Sequence, residues 1–126
     1  VSVTVITLLK RRSGMSRVDF RDYYETHHRR IGEQVLAGYA TRYVRRYLTP
    51  SDGEDQEFDF DVVMEIDFPD EAMRDACFLA MGRPDTLAMI AGDEEKLFDR
   101  SRIRTFSVSE SASAMPPPNA SDPDSR

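Results

Sequence analysis

Between positions 58 and 68 the chain alternates without interruption: Phe58, Phe60, Val62, Met64, Ile66 and Phe68 are separated by Asp59, Asp61, Val63, Glu65 and Asp67. A period of two places every large apolar side chain of this run on one face of a β-strand. Such a face is stable only when another layer covers it, so the fold must pair a sheet with something that packs on it. The covering layer is legible upstream. Ser16 is placed as an N-cap with Asp19 three residues on, and a helix is expected from Arg17 to Leu36. At 100° per residue, Phe20, Tyr24, Ile31 and Val35 fall within about 60° of one another and form its apolar stripe.

Three more segments carry strand patterns. Val1 to Leu9 is rich in Val, Ile, Leu and Thr and ends in the turn Lys10-Arg11-Arg12-Ser13-Gly14. Tyr39 to Leu48 sets Tyr39, Tyr43 and Tyr47 on one face and Arg42, Val44 and Arg46 on the other. Ile103 to Ser109 is the last. Pro69-Asp70-Glu71 opens a second helix through Met81, followed by a shorter helical piece near Asp85 to Ala91 and a turn over 93–98. The order strand, helix, strand, strand, helix, strand is that of a split βαβ, ferredoxin-like α+β domain: a four-stranded antiparallel sheet with its helices on one face. The opposite sheet face would mix Arg42, Arg46, Asp61 and Glu65 with Val44, Val63 and Ile103. A face of that kind stays wet or packs on a second copy, and a homodimer is expected. The domain is taken as 1–110. Residues 111–126 hold four prolines and four serines and only Met115 as a large apolar residue, so they read as a disordered tail.

Composition excludes more than it assigns. With 17 basic and 23 acidic residues the net charge is -6, which argues against nucleic acid as a partner. No apolar run approaches the roughly 20 residues of a membrane span, so no membrane role and a cytoplasmic location are expected. Cys77 is the one cysteine and reads as a small buried hydrophobe. The two histidines, His27 and His28, are adjacent. Neighbours on a helix point about 100° apart, so they do not grip one metal ion and no metal is expected; no phosphate-cradling or dinucleotide-binding glycine motif appears, and no cofactor is expected. They fall about 50° to either side of the stripe's centre, which makes both of them boundary residues. Either can turn a ring nitrogen to a cavity between helix and sheet, or be an ordinary shoulder histidine bonded to backbone or water. Tyrosines on the facing strand and Tyr23 and Tyr24 on the helix would surround such a histidine with phenols, a setting suited to acid–base work on a carbonyl compound. Tyrosines are equally good core residues.

The segment LLKRRSGMSRVDFRDYYETHH resembles the EthD family of the dimeric α+β barrel superfamily. The resemblance rests on Leu9, Lys10, Gly14, Met15, Ser16, Phe20, Tyr23, Tyr24 and His28, and on a second block with Asp93, Glu94, Phe98, Asp99 and Phe106. In this chain Arg29-Arg30 stands where many relatives have Ala-Pro or Val-Pro, which permits the helix to continue. The resemblance implies a homodimer with a ligand cavity between sheet and helices in each subunit. It points to His28 first, then to Tyr24 and Asp99. Together these readings nominate His28, Tyr24 and Tyr43 as catalytic, and His27, Tyr39, Tyr47, Phe20 and Asp99 as contacts to a small hydrophobic or aromatic ligand. The activity expected is that of a cofactor-independent lyase, cyclase or isomerase moving a proton on an aromatic or polyketide-like carbonyl compound. The alternatives are a non-catalytic accessory protein that holds a pathway intermediate, and a cofactor-free monooxygenase.

Overall fold

The structure is a computed structural model and describes residues 2–120. Strand β1 (Val3–Leu9) leads into helix α1 (Arg17–Tyr23), which runs through a π turn (Tyr24–His28) into α2 (Arg29–Leu36). Strands β2 (Arg42–Tyr47) and β3 (Val62–Phe68), helices α3 (Glu71–Met81) and α4 (Pro84–Glu94) and strand β4 (Arg104–Ser107) follow. The strands lie in the order β2-β3-β1-β4, and each pairs antiparallel with its neighbours. This is the ferredoxin-like α+β fold. The alternating run is therefore a central strand, with Val62, Ile66 and Phe68 buried against the helices and Val5 and Leu9 of β1 beside them. The helix starts follow the local chemistry. Ser16 accepts the Asp19 N–H at 3.1 Å, Asp70 accepts the Met73 N–H at 2.8 Å, and Pro84 opens α4.

The first helix is not a straight α-helix. The Arg29 N–H reaches the carbonyl of Tyr24, five residues back. The Arg29 Nε donates to the Glu25 carbonyl at 2.8 Å and the Thr26 hydroxyl to the Asp22 carbonyl at 2.6 Å, so side chains satisfy backbone oxygens around the wider turn. A π turn advances fewer degrees per residue than an α turn, and everything after it is rotated back. Leu36, about 130° from the stripe's centre on an ideal wheel, is consequently buried, while Ile31 and Val35 are only partly so. Arg29 and Arg30 continue the helix; Arg29 pairs with Glu33 at 2.5 Å.

Several boundaries differ from the sequence reading. The third strand begins at Val62, not Phe58, and Phe58 is exposed. The cause is Asp61, expected on the outer sheet face and instead buried. It accepts the Arg11 N–H at 2.8 Å and has Lys10, Arg11 and Arg17 within 3.5 to 3.8 Å. Pairing Asp61 with these cations ends the alternation, because a buried carboxylate must be compensated. The second strand is shorter, with Tyr39 in the turn before it, and α4 is a full 11 residues that takes in Asp93 and Glu94. Ile103, also placed on the outer face by expectation, precedes β4 and packs on the helix side.

The outer face carries the expected charges. Arg42 and Arg46 reach Glu65 at 3.2 and 3.0 Å, and Thr4 donates to Asp67 at 2.8 Å. Around them Ile6 lies opposite Phe106, Leu8 opposite Val63, and Val44 beside them; Phe106 is 49% exposed. Residues 111–120 are exposed and without regular secondary structure. The remainder of the expected tail, 121–126, lies outside the described residues, as does Val1. Among the described residues no helix is long and apolar enough to cross a membrane.

Candidate active site

The buried residues form two clusters. One gathers Leu9, Phe20, Tyr24, Val62, Leu97 and Phe98; the other Val5, Leu36, Ile66, Phe68 and Cys77. A cavity of about 180 Å³ lies along both. Its floor includes Val5, Thr7 and Leu9 of β1 with Met64 and Ile66 of β3, and its walls come from α2, α3, α4 and the π turn. Most of that surface is apolar. The polar groups at it are His28, Glu94, the phenols of Tyr24 and Tyr43, and the hydroxyls of Thr7 and Thr105, whose oxygens lie 3.1 Å apart.

His28 is the focus of these groups. Its ring is held edge-on between Tyr24 and Phe98, with centroids 5.2 Å away on either side. Its Nδ1 lies 2.8 Å from Asp93 Oδ2, and Asp93 Oδ1 accepts the Tyr23 hydroxyl at 2.5 Å. Burial works against ionising Asp93, but the hydrogen bonds from Tyr23 and His28 outweigh it and hold the carboxyl below its ordinary value. Asp93 is therefore an acceptor near neutral pH. The Nδ1 it binds carries the proton, and the imidazole lone pair sits on Nε2, which has no protein partner among the described residues. Burial and the same carboxylate push the Tyr23 phenol up to about 12, so it stays a donor.

The phenols form a second group. Tyr24 and Tyr43 hydroxyls lie 3.3 Å apart, and burial raises the pKa of both, Tyr24 well above its usual range. The Arg45 guanidinium sits 4.7 Å from the centre of the Tyr43 ring and is itself pinned by two hydrogen bonds to Glu25, at 2.7 and 3.1 Å. Gly32 makes room for this arrangement. A Cβ there would stand 2.6 Å from the Tyr43 hydroxyl and 2.8 Å from its ring. Glu94, next to Asp93, has the opposite fate to its neighbour: burial raises its pKa, and its nearest cation is Arg100 Nε at 3.6 Å.

Of the residues nominated from sequence, His28, Tyr24 and Tyr43 come together at this cavity. The other five do not line it. His27 is turned out by the π turn, stacks on Tyr23 at 4.7 Å and bonds Thr26 at 2.8 Å. Tyr47 donates to Glu25 at 2.6 Å, and Phe20 is a core residue edge-on to Tyr24 and Phe98. Tyr39 borders a separate groove with Gln34 and Arg83. Asp99 caps the short turn Arg100–Arg102 by accepting from Ser101. The sequence reading gave no role to Asp93, Glu94, Arg45, Thr7 or Thr105. Only the Asp-Glu of the second matching block hinted at the first two, and no periodicity ties them to a histidine 65 residues away.

Residues 12–101 match the model of the EthD domain family. The chain belongs to the EthD domain family. Solved structures agree on the fold. An EthD family protein from Bacillus halodurans C-125 superposes with a TM-score of 0.62 at 14% identity, covering 88% of this chain and 100% of that one. A Dabb family protein with a ferredoxin-like fold from Mesorhizobium loti gives 0.59 at 10% identity, over 88% and 98%. A dimeric protein of unknown function from Bacteroides fragilis gives 0.52 at 11%, over 85% and 92%. No curated protein matches the sequence.

Two outcomes follow for this EthD domain. Gly32→Ala forces Tyr43 out of its seat and destabilises the protein by about 1–3 kcal/mol, the usual range for overpacking; urea unfolding measures this, and an unchanged midpoint would contradict the close approach. Glu94 has a raised folded pKa, so the stability linked to its proton is full below its ordinary value of 4.5 and lost as pH rises through the folded value. Glu94→Gln should therefore raise the melting temperature at neutral pH, with the gain shrinking towards zero below pH 4.5.

Proposed function

We propose that the cavity binds a small, largely apolar carbonyl compound and moves a proton on it, as a cofactor-independent lyase, cyclase or isomerase does. The observation that carries this reading is the pair His28–Asp93 at the cavity wall, 2.8 Å apart, with Nε2 left as the basic nitrogen. Asp93 sets the tautomer, and the imidazole removes a proton from the carbon beside the carbonyl. The Tyr24 and Tyr43 phenols, whose pKa values are raised, stay neutral and donate hydrogen bonds to the oxygen that gains charge. A general base of this kind contributes roughly 10²- to 10⁴-fold, with the rest coming from holding the substrate in one orientation. Size sets the substrate class. Apolar cavities of about 150 Å³ accept benzene, so 180 Å³ suits one ring bearing a short carbonyl arm.

The working unit in this reading is a homodimer joined through the outer sheet faces. Support comes from the apolar residues Ile6, Val44, Val63 and Phe106 on a face that no helix covers, and from the description of the similar Bacteroides fragilis protein as dimeric. The disordered-tail reading, carried here by the exposed residues 111–120, belongs to the same proposal and gives them no part in the site.

Phenylacetone in D₂O provides a direct assay, since its benzylic protons exchange slowly unaided and proton NMR follows their loss. The protein should accelerate exchange, and His28→Gln should lose about 10²-fold or more of that acceleration. Asp93→Asn should lose a comparable amount, because an amide can donate to Nδ1 and leave the proton on Nε2. Ligand binding without any exchange would instead favour the accessory-protein reading. For the dimer, Phe106→Asp should convert the sedimenting species to a monomer; a dimer that persists unchanged would remove the outer face from the interface.

A further inference from the structure

We propose that Glu94 is a second catalytic residue of this cavity, the proton donor that works opposite His28. The inference rests on the acid–base reading above and extends it to the return half of the proton transfer. Asp93 and Glu94 are consecutive in the last turn of α4, yet they face different tasks. Asp93 is consumed by His28 and Tyr23, whereas Glu94 lines the cavity itself and its carboxyl makes no hydrogen bond to any described side chain. The groups facing it are His28 from the π turn and Arg100 from the turn after α4, with Asp93 beside it on its own helix. Arg100 is a weak counterweight, 3.6 Å away with its side chain partly exposed to solvent.

A base alone leaves the chemistry half finished. When His28 Nε2 takes the α-proton, the C–H electron pair becomes the new C=C bond and the carbonyl π pair needs a proton on oxygen. The phenols at the cavity hold their protons too tightly to give them up, because burial raises both. Burial also favours the protonated form of Glu94, and a carboxylic acid releases a proton far more readily than a phenol. Glu94 gives that proton to the oxygen and becomes a carboxylate, His28 becomes an imidazolium, and the product is the enol. Reversal returns both protons. No electron is lost and no co-reactant is consumed. Two neighbouring carboxyls pushed in opposite directions are the pattern by which a site separates its orienting group from its acid.

The test uses phenylacetone exchange in D₂O as a function of pH, on the full chain. Wild type should show a limb on which exchange falls with rising pH as Glu94 ionises. Glu94→Gln keeps the shape but has no proton to give, so it should be slower by roughly 10²-fold and should lack that limb. Arg100→Gln removes the nearby cation and should move the limb to higher pH, which a merely structural role for Glu94 would not do. Exchange by Glu94→Gln at the wild-type rate, or a wild-type profile with no falling limb, overturns the assignment. If either occurs while His28→Gln is inactive, the base reading stands and only Glu94 is lost. If wild type binds phenylacetone without exchanging it, or if His28→Gln exchanges as wild type does, both readings fail.

Discussion

Five residues of the first helix, Tyr24 to His28, are wound more loosely than an α-helix, and the interior is arranged around that turn. On an ideal wheel the two histidines straddle the apolar stripe and neither has a claim on the core. The π turn rotates His28 inward between Tyr24 and Phe98 and sends His27 out to stack on Tyr23. The same rotation brings Gly32 under the Tyr43 ring and Leu36 into the second core cluster. π turns concentrate at functional sites because the register they give up is repaid only where a side chain must be re-aimed. Here the re-aimed side chain is the one imidazole that meets a carboxylate.

That carboxylate arrives from the far end of the domain. Asp93 stands at the last turn of α4, and its bond to His28 ties this helix to the π turn across one end of the cavity. The electrostatics of the site follow from which groups find partners. Asp93, Glu25 and Asp61 each accept hydrogen bonds, whereas Glu94 makes none among the described residues and has only His28 facing it and the partly exposed Arg100 guanidinium at 3.6 Å. Carboxyls whose partners hold their pKa down, as at Asp93 and Glu25, stabilise the fold at neutral pH; one whose pKa burial raises, as at Glu94, works against it. A group that costs stability and faces a cavity is a natural place to look for chemistry.

The outer sheet face shows the complementary case. Arg42, Arg46 and Glu65 are joined across β2 and β3, but they are partly exposed, and surface pairs of this kind contribute little individually. Their arrangement matters more for what it leaves between them: a band containing Ile6, Val44, Val63 and Phe106 with no helix to cover it. One side of the sheet thus builds a cavity and the other presents a surface, as expected when two helical layers' worth of sequence must all pack on one face.

The pattern from Val62 to Phe68, the tyrosine face of β2 and the helix caps at Ser16 and Asp70 are local signals, readable because period and capping depend only on neighbours in the chain. They are enough for the ferredoxin-like topology and for placing Tyr24, Tyr43 and His28 on elements that face one another. Where the reading failed, a distant residue had intervened. Asp61 left the strand pattern because Lys10, Arg11 and Arg17 converge on it, and Tyr47 and Phe20 were spent on Glu25 and on the core. The resemblance singled out His28, but the turning of its ring inward and of His27 outward, the ionised state of Asp93 and the lack of a hydrogen-bond partner for the Glu94 carboxyl among the described residues were decided by the tertiary structure alone. Each depends on contacts between groups far apart in sequence, and burial and pairing at such contacts have no periodicity to read.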